Sequence, residues 1–225
     1  MPNQTSEQNT AAELRARLKK TRASLPEAQR ERGALLMRGR LFSWLNAARD
    51  ALAAEGRPVS MVAAFWPLNE EPDLRPLLSQ WVDNGVQVCL PCVTGSDQPL
   101  AFRAWTPDAP MRAGAYGIDE PADGPTLRPD IVLVPTLGYT EHADRLGYGG
   151  GYYDRTLAAL DADDHPTIAI GIAWTECRLP RDYEPASHDR RLDAVLTPDG
   201  WVPRAPLDAA PEPSKSRIMR FILGG

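Results

Sequence analysis

Asp130-Ile-Val-Leu-Val-Pro135 and, shortly after it, Arg145-Leu-Gly-Tyr-Gly-Gly-Gly-Tyr-Tyr-Asp-Arg155 decide how this chain is read. The first run is a buried strand, and it feeds a glycine-rich loop that opens a helix beginning near Tyr152 and visible through Thr156 to Leu160. Consecutive glycines let backbone amides turn towards a ligand with no Cβ in the way, and a helix N-terminus adds partial positive charge. Phosphate is the natural guest. Neither familiar phosphate signature fits, because there is no Gly-Lys-Ser/Thr ending and Tyr152 stands where G-x-G-x-x-G needs its third glycine. Arg145, the tyrosines, Asp154 and Arg155 add cationic, stacking and metal-binding groups on the same short element. The bland alternative is a tight turn whose tyrosines pack into the core.

Working outward, short β-rich runs alternate with helical or loop segments: Val59 to Trp66, Val86 to Val93, Leu100 to Trp105, Ile131 to Tyr139, Thr167 to Trp174 and Ala194 to Thr197. That pattern is an α/β fold with one sheet. Asp73 to Val82, closed by Asn84-Gly85, reads as a helix between the first two strands. Leu14 and Leu18 mark an N-terminal helix. Ser24-Leu25-Pro26-Glu27 has the form of a capping box for a second one, through Leu35, Leu41, Trp44, Leu45 and Leu52 to the stop at Gly56 and Pro58. The segment from Pro107 to Pro129, dense in Gly and Pro, is expected to be mostly turns and loop. Three regions follow: a polar extension over 1–10, one domain over 11–200, and a proline-rich extended tail over 201–225.

With 225 residues, 43% of them hydrophobic, the chain can bury one sizeable core. A formal charge of -5 and the absence of a long Lys/Arg block argue against a dedicated nucleic-acid binder. No run approaches the ~20 apolar residues of a membrane span, and Met1 to Thr10 lack a signal-peptide core, so a soluble cytoplasmic protein is expected. Cys89 and Cys92 form a lone C-x-x-C inside an apolar strand with no second pair to complete a metal site. Buried thiols are the expected reading.

The motif Arg145 to Arg155 after a strand ending in proline resembles the signature of the 5-formyltetrahydrofolate cyclo-ligases. The likeness continues through Leu14-Arg15, Phe65-Trp-Pro-Leu-Asn-Glu-Glu71, Ala115-Tyr-Gly-Ile-Asp-Glu-Pro121, and His188-Asp189 followed by Leu192-Asp193-Ala-Val-Leu-Thr197, and so covers most of residues 11 to 200. The resemblance implies a single-domain sheet flanked by helices, similar to the NagB/RpiA/CoA-transferase group. It also implies a reaction in which ATP and Mg²⁺ phosphorylate the N5-formyl oxygen of 5-formyltetrahydrofolate. N10 then attacks the imidate phosphate, and 5,10-methenyltetrahydrofolate, ADP and phosphate result.

Carried over residue by residue, Arg15, Arg145 and the loop Gly147, Tyr148, Gly149, Gly150, Gly151 and Tyr152 hold ATP. Asp154 and Asp189 hold Mg²⁺, and Leu68, Glu71, Tyr116 and Tyr153 line the folate site. Arg145, Tyr153 and Asp154 are the catalytic set. His188, next to Asp189 and one of three histidines in the chain, is read from the sequence itself as a structural or polar contact in preference to a proton-transfer group. The expected partner is the folate alone, including polyglutamylated forms, with the protein a monomer. The chain departs from the family pattern at Ala11, where a lysine is usual, at Thr140 in place of a carboxylate, at Ala143 in place of glycine, and at Cys177 in place of glutamine. Three readings therefore stand: an active cyclo-ligase, a divergent member that binds folate or nucleotide without this turnover, and a sugar-phosphate isomerase-like enzyme.

Overall fold

Ile131, Val132, Leu133 and Val134 have no exposed surface, because they occupy a middle strand of an eight-stranded sheet with helices on both faces. The structure, a computed structural model, describes residues 10–68, 70–162, 167–187 and 189–208. In chain order the elements are α1 (Ala11–Ala23), α2 (Glu27–Ala54), β1 (Met61–Ala63), α3 (Arg75–Asp83), β2 (Gln87–Cys92), β3 (Ala101–Trp105), β4 (Met111–Ala113) and β5 (Asp119–Pro121). They continue as β6 (Thr126–Leu127), β7 (Ile131–Pro135), β8 (Gly138–Tyr139), β9 (Arg145–Leu146), α4 (Tyr152–Ala162), β10 (Ile168–Ile172), β11 (Ala194–Thr197) and β12 (Gly200–Val202).

The main sheet runs β12-β11-β10-β7-β1-β2-β3-β6. Its centre, β11 to β2, is parallel, and β12, β3 and β6 join antiparallel at the borders. Alternation along β7 sorts the two cores. Ile131 and Leu133 face the packed stripe of α2, with Met37, Leu41, Trp44 and Leu45, while Val132 and Val134 face Leu157 and Leu160 of α4. This is the α/β architecture expected from the sequence. No helix among the described residues is long and apolar enough to cross a membrane.

Several local expectations are corrected. The capping box sits at Thr10, whose side chain accepts from the Glu13 amide while Glu13 reaches back to the Thr10 amide. Ser24 instead closes α1 and donates its hydroxyl to Thr21 O at 2.8 Å, so α2 begins only after Pro26, with no side-chain cap. Leu35, one step off the buried stripe of α2, is 62% exposed. The run from Val59 contributes only three strand residues, and the Asp130 carboxylate accepts from the amides of Ser60 and Met61 where it begins.

The stretch Pro107 to Pro129 holds a β4-β5 hairpin and β6 as well as turns. The proline-rich tail starts inside the fold: β12 pairs with β11, Trp44 Nε1 donates to Pro206 O at 3.0 Å, and Ala205 is buried. Cys89 and Cys92 are free and buried on β2, three residues apart and so on opposite faces. Burial pushes the Cys89 thiol up to about 12, which removes it from thiolate chemistry.

Candidate active site

The carboxyl ends of β1, β2 and β7 open into a cavity of about 430 Å³, the place where parallel sheets of this kind bind ligands. Around it the fold gathers Arg15 from α1, Leu68 and Glu71 from the loop after β1, Tyr116 from the tip of the β4-β5 hairpin, and the whole run from Arg145 to Asp154. Asp189 reaches the same cavity from the loop before β11. All of the residues named as candidates from the sequence thus share one space. His188 lies outside the described residues.

The glycine loop is held by guanidinium groups. Arg15 Nε donates to Gly147 O at 2.9 Å and Arg155 Nη2 donates to Gly150 O at 2.8 Å. A Cβ on Gly147 would lie 2.6 Å from Arg145 Nη1 and one on Gly151 2.7 Å from Arg155 Nη1. Gly149 (φ +99°) and Gly151 (φ +64°) also take left-handed backbone that side chains resist. The glycines therefore do two things: they bend the loop, and they admit three arginines against it. Arg145 is 5% exposed and its Nε is buried without a partner. A cationic, amide-rich nest with an unfilled donor fits the phosphates of a nucleotide.

Asp154 opens α4 but is not a free carboxylate. Its Oδ2 accepts from Arg145 Nη2 at 2.6 Å, and its Oδ1 accepts from the Arg190 amide at 3.1 Å, while Asp189 Oδ2 accepts from the Ala186 amide at 2.9 Å. Among the described residues no group of three or more His, Cys, Asp or Glu gathers as a metal cage. Two carboxylates beside a phosphate nest still fit Mg²⁺, which takes one or two carboxylates and fills its shell with water and substrate phosphate.

Opposite the loop, Glu71 is 9% exposed, so it is not the solvated neighbour of Glu70 that the local sequence permits. Its Oε1 accepts from the Tyr148 hydroxyl and its Oε2 from the Leu68 amide at 2.9 Å. Burial pushes its carboxyl above the usual range, opposed by the Tyr148 hydroxyl, the Leu68 amide and the charge of Arg22. Tyr148, expected at the phosphates, therefore spends its hydroxyl on Glu71. Burial also raises the Tyr153 phenol, whose ring lies beneath Arg145, 6.0 Å from the guanidinium carbon. At the mouth, Tyr116 is 75% exposed and meets Tyr152, hydroxyl to hydroxyl, at 3.1 Å. It sits at φ +59°, a left-handed conformation that a tyrosine resists. Phe65 and Trp66 supply flat aromatic walls, and Pro91 and Val93 add aliphatic ones.

Sequence reasoning missed Arg22 and Glu120. The one signal that could have found Arg22 is its place seven residues after Arg15, two turns along the same face of α1. Glu120 lines the cavity and pairs with Arg112 at 2.7 Å, with Gly114 leaving room for its carboxylate. The departures from the family pattern are also placed. Thr140 Oγ1 donates to Asp144 Oδ2 at 2.9 Å, so a neighbour brings the carboxylate that Thr140 lacks. Ala143 takes φ +64°, the conformation that a glycine adopts freely. Ala11 is the exposed first residue of α1, and Cys177 is fully buried beside Arg22.

Comparison with known proteins bears on this site as a whole. Residues 7–198 match the 5-formyltetrahydrofolate cyclo-ligase family. A relative named 5-formyltetrahydrofolate cyclo-ligase from Mycolicibacterium smegmatis is 32% identical over 198 residues, 83% of this chain and 93% of its own length. One of the same name from Escherichia coli is 32% identical over 143 residues, 61% of this chain and 77% of its own. A 5,10-methenyltetrahydrofolate synthetase from Mycoplasma pneumoniae shares the fold with a TM-score of 0.64 at 20% identity, over 84% of this chain and 99% of that one. One from Aquifex aeolicus gives 0.61 at 26%, over 91% and 97%. Since the match takes in α1, the glycine loop, the Glu71 loop and β11 together, this chain belongs to the 5-formyltetrahydrofolate cyclo-ligase family.

Proposed function

We propose that this chain converts 5-formyltetrahydrofolate to 5,10-methenyltetrahydrofolate with consumption of ATP. The observation that carries the reading is the union, in one cavity, of an arginine-lined glycine loop with a buried carboxylate and aromatic walls. Arg15, Arg145 and the amides of Gly147 to Gly151 hold the ATP phosphates, and Asp154 with Asp189 holds Mg²⁺. ATP supplies the phosphoryl group that turns a formamide oxygen, a poor leaving group, into a phosphate, a good one. The chain's own work is positioning and charge neutralisation. Leu68 and Tyr116 bound the ring site, Glu71 accepts from pterin nitrogens, and Tyr153 stays a neutral phenol under the transferring group. The protein acts in the cytoplasm as a monomer, on polyglutamylated folate as well as the parent compound.

The test is the absorbance of methenyltetrahydrofolate on mixing the protein with 5-formyltetrahydrofolate, Mg²⁺ and ATP, against an ATP-free control. ATP-dependent growth is the expected result. Folate binding without turnover would favour a divergent binder, and neither binding nor turnover by folded protein would reopen the isomerase reading.

Asp154→Asn is expected to lower Mg-ATP turnover by ~10²-fold. Because Asp154 is also the partly buried partner of Arg145, the variant should lose about 1–3 kcal/mol of stability, read as a lower urea midpoint. Normal turnover would remove Asp154 from the metal site; an unchanged midpoint would show the ion pair to be dispensable to the fold.

A further inference from the structure

Arg22 has no part in the reading above, yet it is 3% exposed in the wall behind the cavity. From α1 it reaches three other elements. Its Nη2 donates to Thr136 O just beyond β7, its Nη1 donates to the Tyr148 hydroxyl in the glycine loop at 2.5 Å, and Nη1 stands 3.8 Å from Glu71 Oε1. The Tyr148 hydroxyl in turn donates to that same Glu71 oxygen. A buried arginine is costly unless its charge is answered, and here the only acid within ion-pair range among the described residues is Glu71, itself 5% exposed at the side chain. The arrangement leaves the carboxylate oxygens no freedom: Leu68 and Tyr148 fix their direction, and Arg22 fixes Tyr148.

We propose that Arg22 is a positioning residue for ligand recognition, holding the Tyr148 phenol and the Glu71 carboxylate in the single arrangement that presents the carboxylate to the cavity. The inference rests on the folate reading, in which Glu71 accepts from ring nitrogens. It makes the affinity for the folate, and the pH at which that affinity is lost, depend on a residue that lies outside the cavity lining. The groups facing Glu71 are Arg22 from α1, Tyr148 from the glycine loop, Tyr153 from α4 and Glu70 beside it in the chain. Of these only Arg22 brings positive charge, so its removal raises the Glu71 carboxyl further. Binding that needs the carboxylate is then lost at a higher pH as the solution is acidified.

The test is calorimetric titration of 5-formyltetrahydrofolate into wild type, Arg22→Gln, Glu71→Gln and the double variant, between about pH 5.5 and about pH 8.5. Arg22→Gln should weaken binding at neutral pH about 10-fold and move the acid midpoint of binding up by about one pH unit. In the Glu71→Gln background the same change should cost less than about 2-fold, because the pair acts as a unit. Arg22→Lys keeps the charge but cannot serve Thr136 O and the Tyr148 hydroxyl together, so it should restore the midpoint and only part of the affinity. It carries the test if the glutamine variant does not fold. Equal losses in both Glu71 backgrounds, or an unmoved midpoint in Arg22→Gln, would overturn the role of Arg22. Absence of binding by folded wild type would overturn the folate reading, and this proposal with it.

Discussion

Arg145→Met is expected to reduce ATP-dependent turnover by about 10³-fold, the scale of losing an arginine that stabilises a transferring phosphoryl group. The side chain is placed for that work by its surroundings. Asp154 grips one nitrogen at 2.6 Å, Tyr153 lies below its guanidinium, and Gly147 gives up its Cβ so that Nη1 can approach the loop. With methionine the volume is roughly kept, but Asp154 loses its counter-charge in a largely buried position. Arg145→Lys should recover little, since a point charge cannot span the carboxylate and a phosphate as the planar fork does. Initial rates of absorbance growth, taken alongside circular dichroism melts, separate lost chemistry from lost fold. A fall of less than about 10-fold in folded protein would take Arg145 out of the phosphate site.

The second large effect is expected at Gly138, which is not part of the cavity lining. A Cβ there would lie 2.6 Å from Leu18 Cδ1 and 3.0 Å from Leu179 Cδ2, and since both leucines are buried with little room to turn, Gly138→Val is expected to displace α1 from β8. Overpacking of this kind costs about 3 kcal/mol at the upper end, or a fall of about 10 °C in Tm for a chain of this size. Activity should suffer beyond the stability loss, because the displaced helix carries both Arg15, bonded to Gly147 O, and Arg22, bonded to Thr136 O. The signature is a raised KM for ATP at a temperature where the variant is still folded. An unchanged Tm together with an unchanged KM would mean that α1 yields without moving its arginines.

Gly138 also shows why only part of the site was legible. Long apolar runs and glycine clusters announce themselves, so β7, the loop and α4 could be read directly, and the family resemblance supplied Glu71 and Tyr116. What stayed hidden depends on which elements meet. Arg22 is one of many charged residues in α1, and only its spacing of seven from Arg15 sets it apart from the exposed Arg17. Its burial follows from the docking of α1 over β8, which the chain brings about more than a hundred residues later. The pairing of Arg145 with Asp154, nine residues apart, likewise needs the turn made by three glycines, whereas sequence alone assigned the two to separate partners. The β4-β5 hairpin was obscured for a simpler reason: its strands are three residues long and its composition is that of turns.

The short antiparallel strands at the two borders of the main sheet bear on how this chain behaves in a crowd. A parallel strand left at an edge offers a row of unpaired amides and carbonyls on which another chain can build. Here β11, every residue of which is buried, is covered by the three residues of β12, and the other border ends in the two residues of β6. Neither border is long enough to template further pairing. The three residues of β12 thus close the β11 border, and without them the amides and carbonyls of a wholly buried strand would lie open to pairing.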